Sequence, residues 1–111
     1  SGAYRLDVGE KLCCVIAIGY GQTQGAPHKI KTPEQVSRAD AACPDWFRQG
    51  VQAALLAPTA MNQQKFTLTL QSDGRVQAKP GAGFYTKLDL GIVKYHFAMG
   101  AGADAFTWDR A

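Results

Sequence analysis

The chain has no apolar run long enough to span a bilayer; the longest, Leu12 to Ile18, covers seven residues. It opens without a charged-then-apolar leader, so a cytoplasmic location is expected. The charge balance is thin as well. Charged residues make up 19% of the chain, the formal net charge is +3, and the twelve basic residues are scattered, with Lys29 and Lys31 the nearest thing to a cluster. Neither a basic stripe nor a strong net charge is present to recruit nucleic acid. Cysteine is sparse and odd in number: Cys13 and Cys14 are adjacent in the apolar run and Cys43 stands alone. Neighbours on a strand point to opposite faces, so Cys13 and Cys14 are poorly placed to pair or to share a metal, and the pattern reads as reduced thiols. Phosphate loops, HExxH, CxxC and GxSxG patterns are absent, and the few carboxylates are dispersed. A hydrolase would need an activated nucleophile or a metal, and the sequence marks neither; no catalytic residue and no metal ligand is assigned.

What is present is a soluble-type composition, 46% apolar over 111 residues, enough for one domain with a modest core. Ser1 to Gly9 mixes small and polar residues and reads as a tail or connector. Leu12 to Ile18 is continuous and β-branched, the pattern of a strand buried on both faces, and Gly19-Tyr20-Gly21 breaks it. Thr32-Pro33-Glu34-Gln35 opens a short helix through a capping box. Past Ala41-Ala42, where that pattern dissolves, Pro44 opens a longer helix to about Ala57, with Phe47, Val51, Ala54 and Leu55 on one face; Trp46 and Gly50 share a flank where another backbone can come close. Phe66, Leu68 and Leu70 alternate with polar residues, Ser72-Asp73-Gly74 turns, and Val76 and Ala78 alternate again, a β-hairpin. Thr86 and Asp89 make a helix start, with Leu88, Ile92, Tyr95 and Met99 on one face up to Gly100 and Gly102. Phe106 and Trp108 fit a short terminal strand. The order predicts an α+β (mixed α/β) layer in which helices cover a small sheet.

The chemistry concentrates between the second helix and the hairpin, in Ala57-Pro58-Thr59-Ala60-Met61-Asn62-Gln63-Gln64-Lys65-Phe66. Pro58 stops the helix, and Thr59, Asn62 and Gln64 then bring a hydroxyl and two carboxamides beside Met61. Uncharged groups that both donate and accept suit a flat heteroaromatic ligand better than a metal or a phosphate.

The run Ala53-Ala54-Leu55-Leu56-Ala57-Pro58-Thr59-Ala60-Met61-Asn62-Gln63-Gln64 resembles the nitroreductase signature Ala-Pro-Ser/Thr-Ala-x-Asn-x-Gln, although Lys65-Phe66 stands where that family has Pro-Trp. Ala17-Ile18-Gly19-Tyr20 with Lys29-Ile30-Lys31-Thr32-Pro33, and the helix Leu88 to Phe97, add to the likeness. The order is similar to a divergent branch with two nitroreductase-like halves in one chain. The resemblance implies that residues 1–111 form a single domain, the C-terminal half of a longer protein. It implies FMN as cofactor, NAD(P)H as electron donor and a nitro compound, quinone or similar acceptor. Pro58, Thr59, Met61, Asn62 and Gln64 would then lie against the flavin, Gly19 and Tyr20 near its ring, and Lys29 and Lys31 at its phosphate. The remaining walls of the site would come from the missing N-terminal half or a second copy. The competing expectation is a non-enzymatic α/β module in which the Asn62–Gln64 loop is structural or contacts a partner.

Overall fold

In the computed structural model, residues 4–40 and 42–110 are described; Ala41 and the first three residues of the expected N-terminal connector lie outside them. The elements are α1 (Pro33–Val36), β1 (Ser37–Ala39), α2 (Asp45–Leu55), β2 (Phe66–Leu70), β3 (Val76–Pro80) and α3 (Thr86–Ala101), with a 3-10 turn at Ala60–Asn62. β2 is central: β1 pairs with it in parallel and β3 in antiparallel, in the order β1-β2-β3. Three helices over a small mixed sheet make this an α+β fold, as the sequence order predicts.

Each local signal has a physical counterpart. At α1 the Gln35 Oε1 accepts the Thr32 N–H at 2.9 Å, the return bond of a capping box. α2 follows Pro44, carries Asp45 paired with Arg48 in its first turn, and buries Phe47, Val51, Ala54 and Leu55. These meet Phe66, Leu68 and Leu70 from β2, Val76 from β3, and Val93 and Phe97 from α3 in one core. Burial of each such side chain stabilises the fold by about 1.5–3 kcal/mol. Phe106 and Trp108 close the core edge against Phe97, with ring centroids 5.1 and 5.4 Å away. The expected terminal strand is reduced to a single parallel bridge between Trp108 and Val76.

The hairpin turn closes through the Gln71 N–H donating to Arg75 O at 2.9 Å. Asp73 accepts from the Arg75 backbone N–H at 3.0 Å and from its Nε at 2.8 Å, and these bonds hold the Asp73 carboxyl below its ordinary value of 3.8. A lowered folded-state value means the turn's contribution is complete above 3.8 and is lost as pH falls through the lowered value. Asp73→Asn is therefore expected to lower the melting temperature slightly at neutrality and to leave it unchanged below the lowered value, so that the decline on acidification flattens, as a pH series of thermal melts would show.

Two elements depart from expectation. Leu12 to Ile18 is not a strand: it has no sheet partner, and Val15, Ile16 and Ile18 are 77%, 78% and 94% exposed. A run of this kind becomes a buried strand only if something pairs with both of its edges, and among the described residues the three strands pair with each other instead. In α3 the buried face is Thr86, Asp89, Val93, Phe97 and Ala101. Of the expected face, Leu88, Tyr95 and Met99 lie on the outer side, about two-thirds exposed, while Ile92 is half-buried against the core edge. Both sides of α3 are apolar, so periodicity finds a face without saying which one packs on α2.

Candidate functional site

α2 ends where Ala57 N–H donates to Ala54 O, and Pro58 carries the chain outward. The following residues take backbone conformations that side chains disfavour: Met61, Asn62 and Gln64 have φ of 53°, 53° and 48°. Such left-handed conformations cost on the order of 1–3 kcal/mol each and persist only where the surroundings over-determine them. Three clamps do so here. The Gln64 N–H donates to Thr59 Oγ1 at 3.0 Å. The buried carboxylate of Asp89, from the first turn of α3, accepts the Ala60 N–H at 3.1 Å with both oxygens and Gln63 Nε2 at 2.8 Å. The third clamp is a pair of carboxamides on the segment that precedes α1.

In that third clamp, Gln64 acts as a strand neighbour would. Its Oε1 accepts the Lys31 N–H at 3.0 Å and its Nε2 donates to Lys29 O at 2.8 Å, so one buried amide satisfies both polarities of the facing backbone. Asn62 adds to it, donating from Nδ2 to the same Lys29 carbonyl at 3.0 Å while its Oδ1 accepts from Gln64 Nε2 at 2.9 Å. His28 fixes the adjoining residue, with Nε2 3.0 Å from Leu55 O at the end of α2. Seven of the residues singled out from the sequence thus come together: Pro58, Thr59, Met61, Asn62, Gln64, Lys29 and Lys31. Gly19 and Tyr20 do not join them; both are exposed, further up the unpaired N-terminal segment.

Cations dominate the outer surface of the site. Lys29 and Lys65 are exposed and Lys31 is half-buried, and among the described residues none of them forms an ion pair with a carboxylate. Lys65 reaches Ala82 O at 3.3 Å. Asp89 is turned inward instead, its oxygens accepting from the Ala60 N–H and Gln63 Nε2. Met61 projects beside them, 84% exposed. The arrangement offers hydrogen bonds, apolar contact and positive charge on an open wall rather than in an enclosed pocket. The clefts described along β1 and at the end of α3 are lined by other residues.

Asp89 and Gln63 were not legible as site residues. Thr86-x-x-Asp89 reads as a capping box, yet the N-cap position is Tyr85, with φ of 62°, and Thr86 Oγ1 donates to Gly83 O. The Asp89 carboxylate turns to the loop, where it satisfies the Ala60 N–H. His28 carried no local signal at all.

A family profile described as "Putative TM nitroreductase" matches residues 2–101, from the exposed N-terminal segment through the clamp and the hairpin to the end of α3. The chain belongs to this nitroreductase family. Among curated proteins and solved structures, none matches it. In this nitroreductase-family chain the Ala-Pro-Thr-Ala-Met-Asn-Gln-Gln run forms the strained loop, and the backbone of Lys29 and Lys31 is bonded against it. No helix among the described residues is long and apolar enough to cross a membrane.

Proposed function

We propose that this chain is the C-terminal half of an FMN-dependent oxidoreductase that passes electrons from NAD(P)H to a nitro compound, quinone or similar acceptor in the cytoplasm. The observation that carries the reading is the amide clamp, which fixes the Lys29–Lys31 backbone against the strained loop and, among the described residues, leaves both ammonium groups without carboxylate partners. Two lysines held this way suit a phosphate monoester, which each meets as a point charge. When bound, the flavin supplies the two-electron chemistry that no side chain here can perform. Lys29 and Lys31 would hold its phosphate; Pro58, Thr59 and Met61 would line the ribityl chain and ring. Asn62 and Gln64 act one step back, since their amides are committed to the lysine backbone. Gly19 and Tyr20 would approach the ring only within a larger assembly, the missing N-terminal half or a second copy, for which the outer face of α3 with Leu88, Tyr95 and Met99 is a contact surface.

One observation favours a second reading: every amide of the clamp is satisfied internally, as in a purely structural loop. The readings separate on the phosphate. Replacing Lys29 and Lys31 together by alanine is expected to weaken FMN binding about tenfold, equivalent to ~1.4 kcal/mol, and to leave riboflavin binding unchanged. Equal effects on both ligands, or none, would favour the structural loop.

A further inference from the structure

A cleft of about 720 Å³ lies between the second half of α3 and residues 103–110, a volume in the range of small-molecule sites. Most of its lining residues follow Ala101, where the family match ends. The tail that forms one wall is seated on β3: the Val76 N–H donates to Thr107 O at 3.0 Å, and the Asp109 N–H to Val76 O at 2.8 Å. Trp108, between these two bonds, packs its ring on Phe97 with centroids 5.4 Å apart. Lys94 and Ala98 form the other wall, four residues apart and so on the same side of α3.

The charges available on these walls are of one sign. The half-buried Lys94 places its ammonium 4.7 Å from the centroid of the Trp108 ring. A ring face attracts the cation without neutralising it, and one ring cannot meet three N–H donors. Arg110 is exposed at the rim, and among the described residues neither cation forms an ion pair with a carboxylate. Asp109 also lines the cleft, but its carboxylate is committed elsewhere. Its side chain is 7% exposed, Oδ2 accepts from Gln71 Nε2 at 2.7 Å, and Oδ1 lies 3.8 Å from the Arg75 guanidinium. The rest of the lining is largely apolar: Ala98 and Ala103 present methyl groups alone, and the half-buried Phe106 adds a ring.

We propose that this cleft binds a small apolar carboxylate, with its charge between Lys94 and Arg110 and a flat hydrocarbon body against Ala98, Ala103 and Phe106. The lining selects both parts of the ligand. A guanidinium fork and an ammonium match the two oxygens of a carboxylate. Inorganic phosphate would leave the apolar lining uncovered, and a neutral hydrocarbon would displace water from the half-buried ammonium without pairing it. The site is separate from the amide clamp, since Ala98 lies nine residues beyond Asp89, roughly 14 Å along the helix. The proposal does not rest on the flavin reading and uses none of its residues.

The probe is 2-naphthoate, titrated into the full ¹⁵N-labelled chain and followed by two-dimensional NMR. Acetate carries the charge without the body, and 2-naphthalenemethanol carries the body without the charge. The expected result is a naphthoate dissociation constant below ~1 mM, with both analogues at least about tenfold weaker. Shifts should be confined to the Trp108 indole N–H and the amides of residues 94–110. Lys94→Met keeps an apolar stem over the Trp108 ring and removes the charge, and is expected to weaken naphthoate about tenfold. Arg110→Gln, at an exposed position that leaves the melting temperature unchanged, is expected to weaken it about threefold. Shifts centred on Lys29, Lys31 and Gln64, where naphthoate would be acting as a flavin mimic, would overturn the proposal. So would equal affinity for the alcohol, unchanged affinity in Lys94→Met, or no saturation below ~10 mM.

Discussion

Gly100→Ala is expected to lower the melting temperature by roughly 10 °C, which corresponds to ~2 kcal/mol of overpacking for a domain of this size. A Cβ at position 100 would stand 2.5 Å from Ala53 Cβ and 2.6 Å from Gln49 O. Neither neighbour can give way: one is a methyl on the α2 backbone and the other is that backbone itself. The two helices touch here only because the glycine is bare. Gly50 makes the complementary approach from α2, where a Cβ would meet the Phe97 ring at 2.5 Å. That ring is buried and packed against Phe47 and Phe106, at 5.7 and 5.1 Å between centroids, so it too resists displacement. Gly91, on the open side of α3, meets nothing within 4 Å and serves as the control. Alanine there is expected to raise the melting temperature by a few degrees, reflecting a helix propensity gain of up to ~1 kcal/mol. Thermal melts of the two variants decide the matter, and equal behaviour of Gly100→Ala and Gly91→Ala would contradict the close helix contact.

Gln64→Ala is expected to undo the site while sparing the core. The side chain is buried, and its loss leaves the Lys31 N–H without its acceptor at a cost of about 1–3 kcal/mol. Lys29 O retains Asn62 Nδ2, so the segment loosens rather than detaches. Hydrogen exchange at the Lys31 amide should accelerate by one to two orders of magnitude, with the β2 and α2 amides unaffected, and FMN affinity should fall about tenfold because the two ammonium groups lose their fixed position. Gln64→Glu separates the clamp's two halves: a carboxylate still accepts from the Lys31 N–H but cannot donate to Lys29 O. Unchanged exchange at Lys31 in Gln64→Ala would remove the clamp from the account.

The features legible in the sequence are those whose cause is local. Pro44 and Pro58 bracket α2, its four core residues recur at helical spacing, and Asp73-Gly74 fixes the hairpin, all through interactions within a few residues. The loop was legible for the same reason, since amides crowded after a helix-stopping proline are visible without a fold. Leu12 to Ile18 shows the limit: its composition describes a strand, but burial depends on a partner that the described residues do not provide. α3 shows another, because two apolar faces compete for one contact. The crossing at Gly100 was hidden behind its reading as a helix stop, and Gly50, marked as a place for a backbone, instead receives the Phe97 ring. Asn62 and Gln64 stand out in the sequence as candidate site residues, but only the structure places their amides on the Lys29–Lys31 backbone. Contacts across 33 and 35 residues leave no local trace.

The central claim, that the clamp presents two lysines to a phosphate-bearing flavin, is tested most directly by titrating the unaltered chain with FMN and with riboflavin under identical low-salt conditions and following flavin fluorescence. The two ligands share ring and ribityl chain and differ in the phosphate alone. FMN is predicted to bind about tenfold more tightly, with the advantage shrinking as salt screens the partly exposed lysines. Equal affinity for the two flavins, or binding of neither, would contradict it.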